Sequence, residues 1–137
     1  MLNGIISMRV AIPEWEGRIS PTMDTAGNLL VVEIVGGHEV SRRIIPIPPM
    51  NLVGRARFIS GLKIDRLICG AISHQLEQML SGAGVPISPW FGGQVDDIIA
   101  AHTRGNLENE DFWLPGCRRR RGHRGYGCRR GRRGGRE

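Results

Sequence analysis

DRLICGAISHQLEQMLSGAGVPISPW, residues 65–90, changes hydrophobic period twice. Residues 65–72 form an apolar run of the kind a buried strand needs, running into a turn at Gly70. Ser73 stands where a helix cap belongs, Leu76, Met79 and Leu80 recur on one helical face, and GAG at 82–84 stops the helix. VPISPW (85–90) then reads as a second short strand. A strand, a helix and a strand joined this closely imply a parallel crossover, right-handed by the general rule. This unit predicts an α/β fold.

The flanking segments extend the pattern. Downstream, QVDDIIAAHTRG (94–105) predicts a helix with Val95, Ile98, Ile99 and His102 inward, ended by Gly105. Upstream, Leu52, Ala56, Ile59 and Leu62 recur at helical spacing over 51–62. MRVAIP (8–13) predicts a buried strand, and residues 14–27 are too irregular for a helix. NLLVVEIV (28–35) followed by GGH is a strand with a hairpin turn. EVSRRIIPI (39–47) is its return strand, with one solvated face, and the prolines that close it suit a sheet edge. The predicted order is β-β-β-α-β-α-β-α. A mixed five-stranded sheet with the first strand central, two hairpin partners on one side and the two later strands on the other, is a ribonuclease H-like α/β arrangement. Residues 8–116 make one such domain, with 106–116 as a connector and 1–7 as a flexible N-terminal extension.

Charge is unevenly placed. The chain of 137 residues has a formal charge of +6, but residues 117–137 carry ten arginines and one acid. The remainder carries nine basic and twelve acidic side chains, so the folded part is mildly acidic. No apolar run approaches the ~20 residues of a membrane span, and the N-terminus lacks the pattern of a secretory signal. Three widely spaced cysteines do not make a disulfide framework. The expected location is cytoplasmic.

Ligands of open α/β sheets bind outside the carboxyl ends of parallel strands. Three segments are expected to meet there: residues 14–27, 69–74 and 89–93. They bring together Trp15, Arg18, Ser20, Met23, Asp24, Cys69, His74 and Trp90. The turn at 69–73 opens a helix whose N–H groups and dipole favour an anion, and Gly70 and the Gly92–Gly93 pair permit close backbone approach. Soft sulfur and imidazole donors, Cys69 and His74, select transition metals. Each residue also has a plain structural role open to it: Cys69 as a small core hydrophobe, His74 as a solvated helix residue, Met23 as a cover for the sheet end, Asp24 as a turn former, the tryptophans as core rim. No enzyme constellation is present. There is no phosphate-binding loop, dinucleotide fingerprint or nucleophile elbow, Asp96 and Asp97 diverge on a helix, and the first strand lacks the acids a two-metal nuclease needs. A non-catalytic protein is expected.

RVAIPEWEGRISPTMDTAGNLLVVEI (9–34) together with LICGAISHQLEQMLSGAGVPISPWFGG (67–93) resembles the dinitrogenase iron–molybdenum cofactor biosynthesis family, which includes the NifX and NafY cofactor carriers, the C-terminal domain of NifB and the molybdenum–copper orange proteins. The likeness lies in an AIP strand, a G-x-x-S-P-x-x-D loop and a G-A-I-S turn before a helix, over residues 8–105. It implies the ribonuclease H-like topology and non-catalytic binding, carriage or scaffolding of an anionic metal–sulfur cluster of iron, molybdenum or copper, delivered to a client metalloenzyme or cluster-assembly protein. It points to Ser20, Pro21 and Asp24 in the first loop and to Cys69, Gly70, Ala71, Ser73 and His74 in the second. The chain departs from the pattern at Met23, where members often carry phenylalanine, and in its arginine tail.

The tail, residues 117–137, cannot bury a core and is expected to be disordered when free. Its arginines suit nonspecific binding to nucleic acid or an acidic partner, with Tyr126 available to stack on a base. Cys117, His123 and Cys128 are an alternative metal ligand set without zinc-finger spacing. Two other functions therefore stand beside cluster carriage: a nucleic-acid-associated protein acting through its tail, and a regulatory interaction domain that has lost the cluster.

Overall fold

Residues 10–13 are buried on both sides of their strand, which places that strand in the middle of the sheet. In the computed structural model, which describes residues 7–105, 117–119 and 126–128, this strand is β1 (Ser7–Trp15). It pairs antiparallel with β3 (Asn28–Val35), from Ser7 opposite Val35 to Pro13 opposite Leu29. A two-residue turn at Gly36 and Gly37, both in the left-handed region at φ 59° and 83°, returns the chain as β4 (His38–Pro46). Both turn positions need positive φ, which glycine adopts without a Cβ clash. On the other side of β1 lie the parallel strands β5 (Arg66–Ile68) and β6 (Ile87–Ser88). The order β4-β3-β1-β5-β6 agrees with the arrangement expected from the sequence.

Several boundaries differ. A sixth strand, β2 (Arg18–Ile19), folds back on the end of β1. β1 also runs two residues beyond Pro13, because the Pro13 carbonyl is still used as an acceptor, from Ser20 N–H at 2.8 Å. Ser7, expected in the flexible extension, is the first residue of β1, while residues 1–6 lie outside the described residues. β5 keeps only three of the eight residues of its apolar run, since the backbone leaves the ladder at Cys69 to make the turn. β4 is exposed on both faces rather than one, as an edge strand covered by no helix along most of its length.

Helices α1 (Leu52–Ser60) and α2 (His74–Gly82) are nine residues each and α3 (Val95–Arg104) is ten. Helices this short are marginal in isolation, so tertiary burial must hold them. The Asn51 Oδ1 caps α1 by accepting from Gly54 N–H, Ser73 Oγ caps α2 by accepting from Leu76 N–H, and Gly105 ends α3 at φ 77°. α1 and α2 share one face of the sheet, where Leu76 and Leu80 join Ala11, Leu29, Val31, Ile59 and Leu67. α3 covers the other, packing Ile98 and Ile99 on Val10, Ile12, Leu30, Val32 and Phe91. Burying one such aliphatic side chain contributes about 1.5–3 kcal/mol, enough for two or three of them to outweigh the poor intrinsic stability of each helix. No helix among the described residues is long and apolar enough to cross a membrane.

Candidate functional site

The chain leaves β1 through a tight turn at Glu16 (φ 51°) and Gly17 (φ 80°) that sets Trp15 opposite Arg18. This tip is pinned three times. Gly17 N–H donates to Glu14 Oε2 at 2.7 Å, Val95 N–H donates to the Gly17 carbonyl at 2.9 Å, and Ile19 N–H donates to the Gly93 carbonyl at 2.9 Å. Residues 20–26 then cross the carboxyl end of β5. There the Ala71 N–H donates to the Pro21 carbonyl and the Met23 N–H donates to the Ala71 carbonyl, at 2.9 and 2.8 Å. The third segment closes the circuit, with Trp90 N–H donating to the Gly70 carbonyl and Phe91 N–H to the Cys69 carbonyl, at 2.9 and 3.0 Å. The three segments expected to meet at the strand ends therefore do meet, joined backbone to backbone.

They meet without a gap at Gly70. A Cβ there would lie 2.8 Å from the Pro21 carbonyl oxygen, 3.1 Å from that of Ser20 and 3.3 Å from that of Phe91. The missing side chain makes room for the protein's own loops. The start of α2 is likewise occupied internally: the Ser73 N–H donates to Asp24 Oδ1 at 2.9 Å, so Asp24 supplies the anion that a helix N-terminus favours and ties the first loop to the second.

Residues at this junction divide into three sets. Ser20, Met23, Cys69 and Gly70 are buried, Met23 and Cys69 within the core under α1 and α2. Burial pushes the Cys69 thiol far above its ordinary range, with the Glu77 and Asp24 charges adding to the effect, so the sulfur stays protonated. Trp15, at 57% exposure, together with Arg18, Pro21 and His74 lies on the surface. Ala71, Ser73, Asp24 and Trp90 are half-buried. Trp90 is in the left-handed region at φ 72°, a conformation that costs a bulky residue about 1–2 kcal/mol. Residues held in such conformations are over-determined by their surroundings, here by the Trp90 and Phe91 hydrogen bonds and the following Gly92–Gly93 pair.

Among the described residues no group of three or more His, Cys, Asp or Glu side chains is placed to hold a metal ion. Cys117 and Cys128, from the alternative ligand set, are register partners on a two-stranded ladder of β7 (Cys117–Arg119) and β8 (Tyr126–Cys128). His123, the connector at 106–116 and the rest of the tail lie outside the described residues.

Two contributors escaped the sequence reading. Gln94 bridges Arg18, joining the start of α3 to β2. Arg55 is buried beneath the first loop, donating from Nη1 to the carbonyls of Ala26 at 2.8 Å and Met23 at 3.3 Å. Its signal was present: Arg55 lies within the stripe of Leu52, Ala56 and Ile59, where a charge interrupts an apolar face.

This fold is shared by solved proteins. The crystal structure of PH0822 superposes with a TM-score of 0.68 at 20% identity, over 72% of this chain and 91% of that one. A provisionally named dinitrogenase from Methanocaldococcus jannaschii gives 0.63 at 24% identity, over 74% and 92%. A protein from Thermotoga provisionally named NifB gives 0.56 at 18%, over 72% and 90%. At these identities the likeness is one of fold. No protein-family profile and no curated protein sequence matches the chain.

Proposed function

We propose that this chain is a non-catalytic carrier or scaffold for an anionic metal–sulfur cluster of the iron–molybdenum type, acting in the cytoplasm for a client metalloenzyme or cluster-assembly protein. The observation that carries the reading is the locked junction of residues 14–27, 69–74 and 89–93, which presents Trp15, Arg18, Pro21, His74 and a strained Trp90 at one end of the sheet. The nitrogenase-related names of two solved proteins with this fold favour the same cargo.

The donor chemistry suits a preassembled cluster held from outside. His74 offers one imidazole, Arg18 offers a positive charge and N–H donors for cluster sulfides, and the two indole rings offer a polarisable wall. The buried, protonated Cys69 takes no part in this contact. Cargo held by so few ligands is released readily to a site with more thiolates, which is what delivery requires.

The test is anaerobic loading with iron, sulfide and molybdate, read by metal analysis and absorption spectrum. The full chain and a version ending at Gly116 should retain equal stoichiometric metal, Cys69→Ser should retain it, and Arg18→Ala/His74→Ala should lose about tenfold in affinity. Absence of metal, or its loss with the tail, overturns the reading. The ten arginines of residues 117–137 favour a second activity, nonspecific binding of nucleic acid. It predicts a steep salt dependence that disappears in the version ending at Gly116.

A further inference from the structure

Arg55 is the one formally charged side chain that is buried among the described residues, at 6% exposure. A guanidinium cannot shed its proton in a protein. An interior charge is ordinarily offset by a carboxylate, because removing it from water costs several kcal/mol. Among the described residues Arg55 has no ion pair, and its Nε is buried without a hydrogen-bond partner. Its contacts are the carbonyls of Met23 and Ala26, neutral dipoles that offset only part of the cost.

The placement of this charge connects it to the junction. The Met23 residue that accepts from Arg55 donates its own N–H to the Ala71 carbonyl, and Ala71 in turn donates to Pro21. Arg55 therefore stands behind the loop whose other side meets the turn at 69–73, next to the apolar cluster of Met23, Ala26, Ala56, Cys69 and Ile72. A field crossing such a medium is screened far less than one at the surface, and it acts in proportion to the charge of whatever sits outside.

We propose that Arg55 is the fixed positive charge of the anion site: it positions the loop at residues 20–26 through two carbonyls, and its charge, unpaired among the described residues, selects multiply charged anions at the junction. The inference rests on the carrier reading and names what that reading leaves open, the charge class of the cargo. Arg55 is a positioning and selecting residue, since the loop separates it from the ligand.

Two soluble tetrahedral metal sulfides of similar shape and different charge test it: tetrathiomolybdate, a dianion, and tetrathiorhenate, a monoanion. Binding to the full chain is compared with Arg55→Met, which removes charge and donors, and Arg55→Gln, which removes charge but keeps a donor for the Ala26 carbonyl. Both variants should weaken the dianion about tenfold and the monoanion about threefold, half the effect on a logarithmic scale, as a charge-proportional field requires. If Arg55→Met does not fold, Arg55→Gln alone decides by the same ratio. Equal losses for the two anions, no loss, or wild-type affinity in Arg55→Gln would overturn the role of Arg55 while leaving a wild-type carrier standing. A wild-type chain that binds neither anion overturns both.

Discussion

The two faces of the sheet are built to different rules. Under α3 the cluster of fully buried side chains runs from Val10 and Ile12 to Phe91 and Ile98 and is hydrocarbon, with half-buried Arg66 donating to buried Ser88 and with Arg42 bridging Glu39 and Asp96 at the surface. Under α1 and α2 the core admits a thiol, a thioether and a guanidinium, at Cys69, Met23 and Arg55, and all three lie behind the loops that meet at the strand ends. The first face is what a stable sheet requires. The second departs from it near the junction, where Arg55 holds the Met23 and Ala26 carbonyls of the first loop.

The largest expected effect tests that junction. Gly70→Ala places a methyl against three backbone carbonyls, none able to rotate away, and should destabilise the chain by about 3 kcal/mol in denaturant unfolding. Gly82→Ala, at the end of α2 with nothing within 4 Å, should be neutral or stabilising by up to about 1 kcal/mol. Equal effects at the two positions would mean that the loops do not close as described.

Next in size is the tie between the first loop and α2. Ser73→Ala removes the cap and should cost about 1 kcal/mol. Asp24→Asn should cost a similar amount by withdrawing the carboxylate from the helix start. A double-mutant cycle in which the two losses add without coupling would separate cap from loop and weaken the picture of one locked unit.

A smaller effect belongs to the α3 face. His102 is half-buried, and its pKa is lowered by burial and then by the nearby Arg66 charge. The unfolded chain therefore binds its proton more readily than the folded one. Stability contributed by the neutral imidazole is present above the unfolded pKa, about 6.5, and is lost as the pH falls through the lower folded value. Comparing wild type with His102→Gln between pH 7.5 and pH 5.5 should show a slope in the former and its reduction in the latter. Identical slopes would remove His102 from the account. Smallest of all, Asp96→Asn should change stability by no more than about 0.5 kcal/mol, because the pair it forms with Arg42 is solvent-exposed.

Legibility in the sequence followed the range of the interactions. The hairpin at Gly36–Gly37, the Ser73 cap and the Gly105 stop depend on local backbone chemistry and were readable. So was the meeting of the three loops, since strand order and direction alone bring carboxyl ends together. β2 was not readable. Two residues show no period, and Arg18 and Ile19 are extended only because Trp15, Gln94 and Gly93 are there to pair with them. The left-handed backbone of Trp90 was hidden for the same reason, since it is set by Gly70 twenty residues away, whereas burial of Cys69 in the core was among the roles its place at the end of a buried strand offered. Arg55 was visible as an oddity in an apolar stripe, but its meaning required the Met23 and Ala26 carbonyls.

The hydrogen bond from Ile19 to Gly93 bears on the chain's synthesis. The β3–β4 hairpin can pair as soon as residue 46 has been made, but the junction needs partners spread from residue 13 to residue 93. Contacts closing so long a loop form after local ones, because their entropic cost comes first. A ribosome-bound chain that has not yet exposed Gly93 thus has a sheet edge in place and no junction. The junction therefore arises late, once most of the body around it exists.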